Sequence, residues 1–239
     1  MNFRTFNVHA FLLRALPLAA LLAANATHAQ GTDAVAARLR ATFPGMPANA
    51  QVEATVVPGI YVMRVPGFTG CPVYTDEQVT MVANNGRQGW ALPSGKPLDE
   101  ARSRELVARI YRTLPAPLIP VGAGPDSGMV LVSGVDCQPS AAMEATLEQR
   151  RVGYRILPSA LNQANFPAAQ AAACAADGPA AWKSIRQGKA PRAAACGVDA
   201  AALKDLSCML MGGRLPTAIF PDGRMSSHPR DIEPLLAGR

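Results

Sequence analysis

The residues best placed to do chemistry are Asp136-Cys137-Gln138-Pro139-Ser140. An apolar run, Met129 to Val135, leads into them, and Ala141 to Gln149 reads as a helix. A cysteine at a strand-to-helix turn meets the unpaired N–H groups and the dipole of the helix N-terminus, which favour thiolate. A complete dithiol site would carry a second cysteine at position 140, giving C-x-x-C, and here that residue is Ser140. The chemistry within reach is therefore that of a single sulfur. Such a sulfur attacks a substrate disulfide and forms a mixed disulfide, but it cannot store two oxidising equivalents.

Other chemistries have less to build on. Cysteines occur at 71, 137, 174, 196 and 208, none of them at C-x-x-C spacing and no pair near a histidine, so no zinc site is expected. Beyond residue 30 the one histidine is His228, in Ser226-Ser227-His228-Pro229, with no G-x-S-x-G elbow to make a hydrolase of it. It reads as a turn histidine. The formal charge is +6, but no basic run is interleaved with aromatics, so no nucleic-acid partner is expected. With 49% hydrophobic and 17% charged residues in 239, the chain has the composition of a globular protein of one or two domains.

The first 29 residues read as a secretory signal peptide. Arg4 and Arg14 give a positive start, Ala15 to Ala24 an apolar core, and Thr27-His28-Ala29 a cleavage site. Export to an oxidising compartment makes cysteine pairing the default, and an odd count leaves at least one thiol free or shared between chains. Cys71, in Gly70-Cys71-Pro72, reads as a half-buried small residue and Cys208 as a core residue of a helix.

The elements that must position Cys137 can be read in order. Asp33 to Thr42 has helical spacing. Short strand-like segments follow at Val52–Val57, Ile60–Val65, Pro72–Asp76, Val79–Ala83 and Gln88–Leu92, with Asn84-Asn85-Gly86-Arg87 as a hairpin turn. Asp99 to Leu114 is a helix with the stripe Leu106, Ile110, Leu114, and Pro115, Pro117, Pro120, Gly122 and Gly124 then read as a linker. Beyond the Cys137 helix come a strand at Gly153–Pro158, helices at Pro167–Ala176, Pro179–Gln187 and Asp199–Met211, a strand at Leu215–Phe220, a turn at Pro221-Asp222-Gly223-Arg224 and a terminal helix, Arg230–Leu236. This order is that of a thioredoxin-like α/β domain with a helical insertion.

Residues 125–239 resemble the catalytic domain of periplasmic disulfide isomerases of the DsbC/DsbG type. The resemblance rests on the strand before Cys137, Ala173-Cys174-Ala175-Ala176-Asp177 with Trp182 and Gly188 beyond it, Ala195-Cys196-Gly197-Val198-Asp199, and Leu215-Pro216-Thr217-Ala218. By layout, residues 30–97 are similar to that family's α+β cystatin-like dimerisation domain, and 98–124 to its linker helix and linker. The resemblance implies Cys137 as nucleophile, Cys174 and Cys196 as a structural disulfide, and Leu215-Pro216 as a cis-proline loop that pairs with substrate backbone. It also implies a periplasmic homodimer that acts on exported, disulfide-bearing clients, with a membrane redox partner as a further candidate and no cofactor. Three departures gather at the site: Ser140 in place of the second cysteine, Asp136 directly before the nucleophile, and Leu215 where the isomerases have threonine. Two readings stay open. One is a monothiol disulfide isomerase; the other is a redox-silent periplasmic chaperone or assembly factor that keeps the peptide-binding cleft.

Overall fold

A computed structural model describes residues 31–85, 88–114, 118–124, 126–189, 196, 200–211 and 214–232. The expected signal peptide, Gly86 and Arg87 of the hairpin turn, Pro115 and Pro117 of the linker, and residues 233–236 of the terminal helix lie outside them. The described chain is mixed α/β, with two sheets.

The first sheet is a meander of β1 (Gln51–Ala54), β2 (Ile60–Arg64), β3 (Val73–Asp76), β4 (Met81–Asn85), β5 (Gln88–Ala91) and β6 (Lys96–Pro97), each antiparallel to the next. Strand alternation decides what covers it. Helix α1 (31–42) brings Val35 and Leu39 against Tyr61 and Met63. Ile60 and Val62, between and beside them on β2, join a different cluster on the opposite face. Helix α2 (Glu100–Arg112) follows, with the Asp99 carboxylate accepting from the Arg102 amide at 2.8 Å as its N-cap.

The second sheet has the order β11-β10-β8-β9-β7. Its strands are β7 (Ile119–Val121), β8 (Asp126–Gly134), β9 (Gly153–Ser159), β10 (Thr217–Ile219) and β11 (Met225–Ser226). Strands β8 and β9 are parallel and joined by helix α3 (Gln138–Gln149); β7, β10 and β11 pair antiparallel. Helices α4 (Phe166–Ala173), α5 (Gly178–Arg186) and α6 (Ala200–Met211) intervene between β9 and β10, and residues 229–232 are helical. This order is compatible with a thioredoxin-like fold. Strand β7 lies where prolines and glycines read as linker. It is an edge strand, where the missing N–H of Pro120 breaks no ladder on its free side.

The two sheets share one core. Ile60, Val62 and Tyr74 of the first, with Val57 of the β1–β2 connection, pack in a single cluster with Val107 and Ile110 of α2, Leu203, Leu206 and Leu210 of α6, and Val130, Val132 and Leu157 of the second. Across this seam Arg64 pairs with Asp205, the Tyr74 hydroxyl donates to the Asp205 carbonyl at 3.2 Å, and the Tyr111 hydroxyl donates to the Gly128 carbonyl at 2.5 Å. A disulfide closes it: Cys71, between β2 and β3, is bonded to Cys208 of α6, with Cα atoms 5.4 Å apart. The sequence leaves the state of both open, with Cys71 read as a half-buried small residue and Cys208 as a core residue; they are bonded to each other. The residues are 137 positions apart, and only packing of the first sheet on α6 brings their Cα atoms into the window of about 4.4–6.8 Å that a bridge needs.

Candidate active site

The site begins where β8 ends. Met129 to Val132 are fully buried, as the central strand of a covered sheet must be, and the chain turns at Gly134. A Cβ on Gly134 would lie 2.7 Å from a Leu215 methyl and 3.0 Å from the Cys137 Cβ, so a side chain there would push the turn away from the proline loop. The Val135 amide donates to the Ser159 carbonyl at 2.8 Å, and the Cys137 amide to the Gly134 carbonyl at 3.3 Å. Cys137 is thus delivered as the extended N-cap residue of α3, with Pro139 in the first turn, where its lack of an N–H costs nothing.

Cys137 is the free cysteine; Cys71 is bonded to Cys208 and Cys174 to Cys196. It is only 3% exposed. Its Sγ lies 3.7 Å from the Leu215 carbonyl oxygen, to which the thiol donates. The Leu215–Pro216 peptide is cis. Cys174 is the C-cap of α4, so its bond to Cys196 ties the segment after α5 back to the insertion.

Ser140 does not stand at the surface as a lost thiol. It is fully buried, and its Oγ accepts from the Gly134 amide at 3.2 Å. Asp136 is turned to the 161–165 loop. One carboxylate oxygen accepts from the Leu161 amide at 2.7 Å, the other from the Asn162 amide at 2.9 Å and the Asn165 side chain at 2.8 Å. Partial burial pushes its pKa up, but these three donors outweigh that and hold the carboxyl below its ordinary value. The loop-anchoring role of Asp136 was not visible in the sequence.

Gln138 and Pro139 are exposed. Pro139, Leu215 and Pro216 line an open groove of about 680 Å³ together with Arg214, Ser227 and His228. The His228 Nδ1 accepts from the Arg230 amide at 3.2 Å, as a turn histidine does. Among the described residues no cluster of three or more histidine, cysteine or carboxylate side chains could hold a metal ion.

Beneath the turn lies a polar network that sequence reasoning missed. Glu144 and Arg186 form an ion pair with side chains only 12% and 14% exposed. Glu144 also accepts from the Trp182 indole at 3.0 Å and from the Ser133 hydroxyl. Arg186 donates to the Ser133 hydroxyl at 2.9 Å and to the Cys137 carbonyl at 3.0 Å, and its guanidinium lies 5.1 Å from the Trp182 ring centroid. One signal was available: Ser140, Met143, Glu144 and Leu147 share the buried stripe of α3, and a carboxylate on such a stripe requires a buried partner.

Chemically, the arrangement presents one sulfur at a helix N-terminus, beside the Leu215 carbonyl and the groove along the proline loop. No described helix is long and apolar enough to cross a membrane. No family model matches the chain, and no curated protein matches it. Among solved structures, the chain is similar to the crystal structure of disulfide interchange protein from Neisseria gonorrhoeae, at 23% identity and a TM-score of 0.40, over 51% of this chain and 94% of that one.

Proposed function

We propose that this chain is a periplasmic thiol–disulfide interchange protein that acts on exported clients through one nucleophile, Cys137. One observation carries the reading: four of the five cysteines are paired, and the free one caps α3 against the cis Leu215–Pro216 peptide. In the first step the Cys137 thiolate attacks one sulfur of a client disulfide. A mixed disulfide forms and the other client sulfur leaves as a thiolate, taking up a proton from water. In the second step a different client thiolate attacks the client sulfur of that bond. A new client disulfide forms, Cys137 is released, and no net electrons are exchanged. Ser140 has no sulfur with which to resolve the intermediate, so the client must do it. Leu215 and Pro216 offer the backbone edge on which an extended client segment pairs, and Cys174–Cys196 holds the helical insertion. The reading extends to a homodimer, with a membrane redox partner that keeps Cys137 reduced.

The test is recovery of a scrambled disulfide protein by the wild type and by Cys137→Ala. Recovery with the wild type alone is expected, and equal recovery would sink the reading. The burial of Cys137, at 3% exposure, favours the redox-silent chaperone as the second reading. Equal suppression of client aggregation by both proteins, with no isomerisation by either, would select it.

A further inference from the structure

We infer that Arg186 is a positioning residue for Cys137: its guanidinium fork fixes the turn that carries the thiol against the Leu215–Pro216 loop. The inference rests on Cys137 being the reacting sulfur. Three attachments define the role. Arg186 reaches the Cys137 carbonyl at 3.0 Å, the Ser133 hydroxyl near the end of β8 at 2.9 Å, and the Glu144 carboxylate in the second turn of α3. These points lie before, at and after the turn, and a planar fork can hold all three in one geometry. The guanidinium is itself held on the Trp182 ring, and Glu144 is held by the Trp182 indole and Ser133. Arg186 closes α5, and Cys174–Cys196 ties the chain on either side of α5 together. Through this side chain the helical insertion is hydrogen-bonded to the Cys137 backbone itself. Without the fork, the Cys137 carbonyl keeps the Ala141 amide at 3.3 Å. The turn loses its tie to α5 while Asp136 still anchors it to the 161–165 loop, so the thiol is less closely fixed against the proline loop.

Arg186→Lys separates positioning from stability. A lysine keeps a cation opposite Glu144 but cannot fork to Ser133 and Cys137 together. The probe is an aromatic disulfide. The Cys137 thiolate attacks it, one mixed disulfide forms, and one aryl thiolate is released and counted. In folded protein Arg186→Lys is expected to react about tenfold more slowly than wild type, since misplacing a reacting group by about 1 Å can cost up to a hundredfold. In denaturant, with both disulfides intact, the two chains are expected to react alike. Arg186→Met is expected to be as slow as Arg186→Lys but to melt at a lower temperature, because Glu144 is then left unpaired. Folded Arg186→Lys reacting at the wild-type rate would overturn the inference, whether that rate is fast or slow. A wild type that reacts with the probe in an Arg186-dependent way but leaves scrambled clients unrepaired would remove the proposed function and leave this inference standing.

Discussion

Two arginine–carboxylate pairs with little-exposed carboxylates lie near cysteines in this molecule, and they are built differently. Beneath Cys137, Glu144 takes bonds from Arg186, Ser133 and Trp182, so both of its oxygens are engaged. At the seam between the sheets, Asp205 has Arg64 on one oxygen, while the other is buried with no partner among the described residues. Burial pushes the Asp205 pKa up, and Arg64 draws it back only in part. In the first network the carboxylate is fully bonded, although the Arg186 Nε is buried with no partner among the described residues, and the neighbouring cysteine is free. In the second the carboxylate is not, and a covalent bond from Cys71 to Cys208 lies on the same helix three residues away. A carboxylate with both oxygens bonded helps to hold its surroundings; one with an orphaned oxygen leans on them.

The most direct way to break this contrast is to cut the seam. Cys71→Ala/Cys208→Ala opens a loop with a separation of 137 residues, and Cys174→Ala/Cys196→Ala one of 22. Loop-closure entropy assigns losses of about 5 and about 3 kcal/mol respectively. Denaturant titration of both variants measures the difference. Equal losses would mean that the seam packs well enough without its bridge.

Next in size is Arg64→Met, which strands Asp205. Arg64 is 31% exposed and Asp205 only 9%, so the loss is expected near 2 kcal/mol rather than the larger value of a fully buried pair. Adding Asp205→Leu should recover most of it, because no buried charge is then left without a partner; Glu53, the other partner of Arg64, is half exposed. A double variant no better than the single would show that the ion pair itself joins the sheets.

Ser140 tests the site side. Ser140→Ala removes the acceptor of the buried Gly134 amide and should cost about 1 kcal/mol, read by thermal unfolding. Ser140→Cys is expected to cost about the same while restoring C-x-x-C. On mild oxidation that variant should lose both thiols to an internal bond, whereas the wild type can only form mixed disulfides. If Ser140→Cys keeps two titratable thiols under oxidant, the turn does not bring positions 137 and 140 into bonding range.

Much of the second sheet was legible because its elements declare themselves locally. The buried run into Gly134, the α3 stripe and the alanine-rich insertion follow from periodicity and punctuation, and they deliver Cys137 to a helix N-terminus. The seam was not legible. Cys71 and Cys208 carry no local mark of pairing, and Arg64 and Asp205 look like ordinary surface charges on a strand and a helix. Their meaning depends on how the first sheet docks on α6, which is a property of shape complementarity and not of any window of sequence. Strand β7 was missed for the opposite reason, since its proline argued against a strand that only an edge position permits. Glu144 and Arg186 fall between these cases: the stripe betrays the carboxylate but not which arginine meets it.

The smallest effect, and the sharpest in sign, is in the acid limb of stability. Asp136 is held below its ordinary pKa by Leu161, Asn162 and Asn165 despite the upward push of burial, while Asp205 is held above it by burial. For Asp136 the unfolded chain binds the proton first as pH falls, so its contribution is present above about pH 4 and lost as pH drops through the depressed folded value. For Asp205 the folded chain binds the proton first, so stability rises as pH falls from its raised value toward about 4. Unfolding free energies measured from pH 7 to pH 3 should therefore move in opposite directions in two variants. Asp136→Asn should flatten the acid loss, and Asp205→Asn should steepen it, each by less than about 1 kcal/mol given the screening of partly exposed groups. Asp222, also held low by burial-opposing bonds from Arg224, adds to the acid loss in all three proteins alike and leaves the comparison intact. If both variants shifted the same way, Asp205 would have found a partner for its second oxygen. The seam carboxylate would then be as fully bonded as Glu144 beneath Cys137.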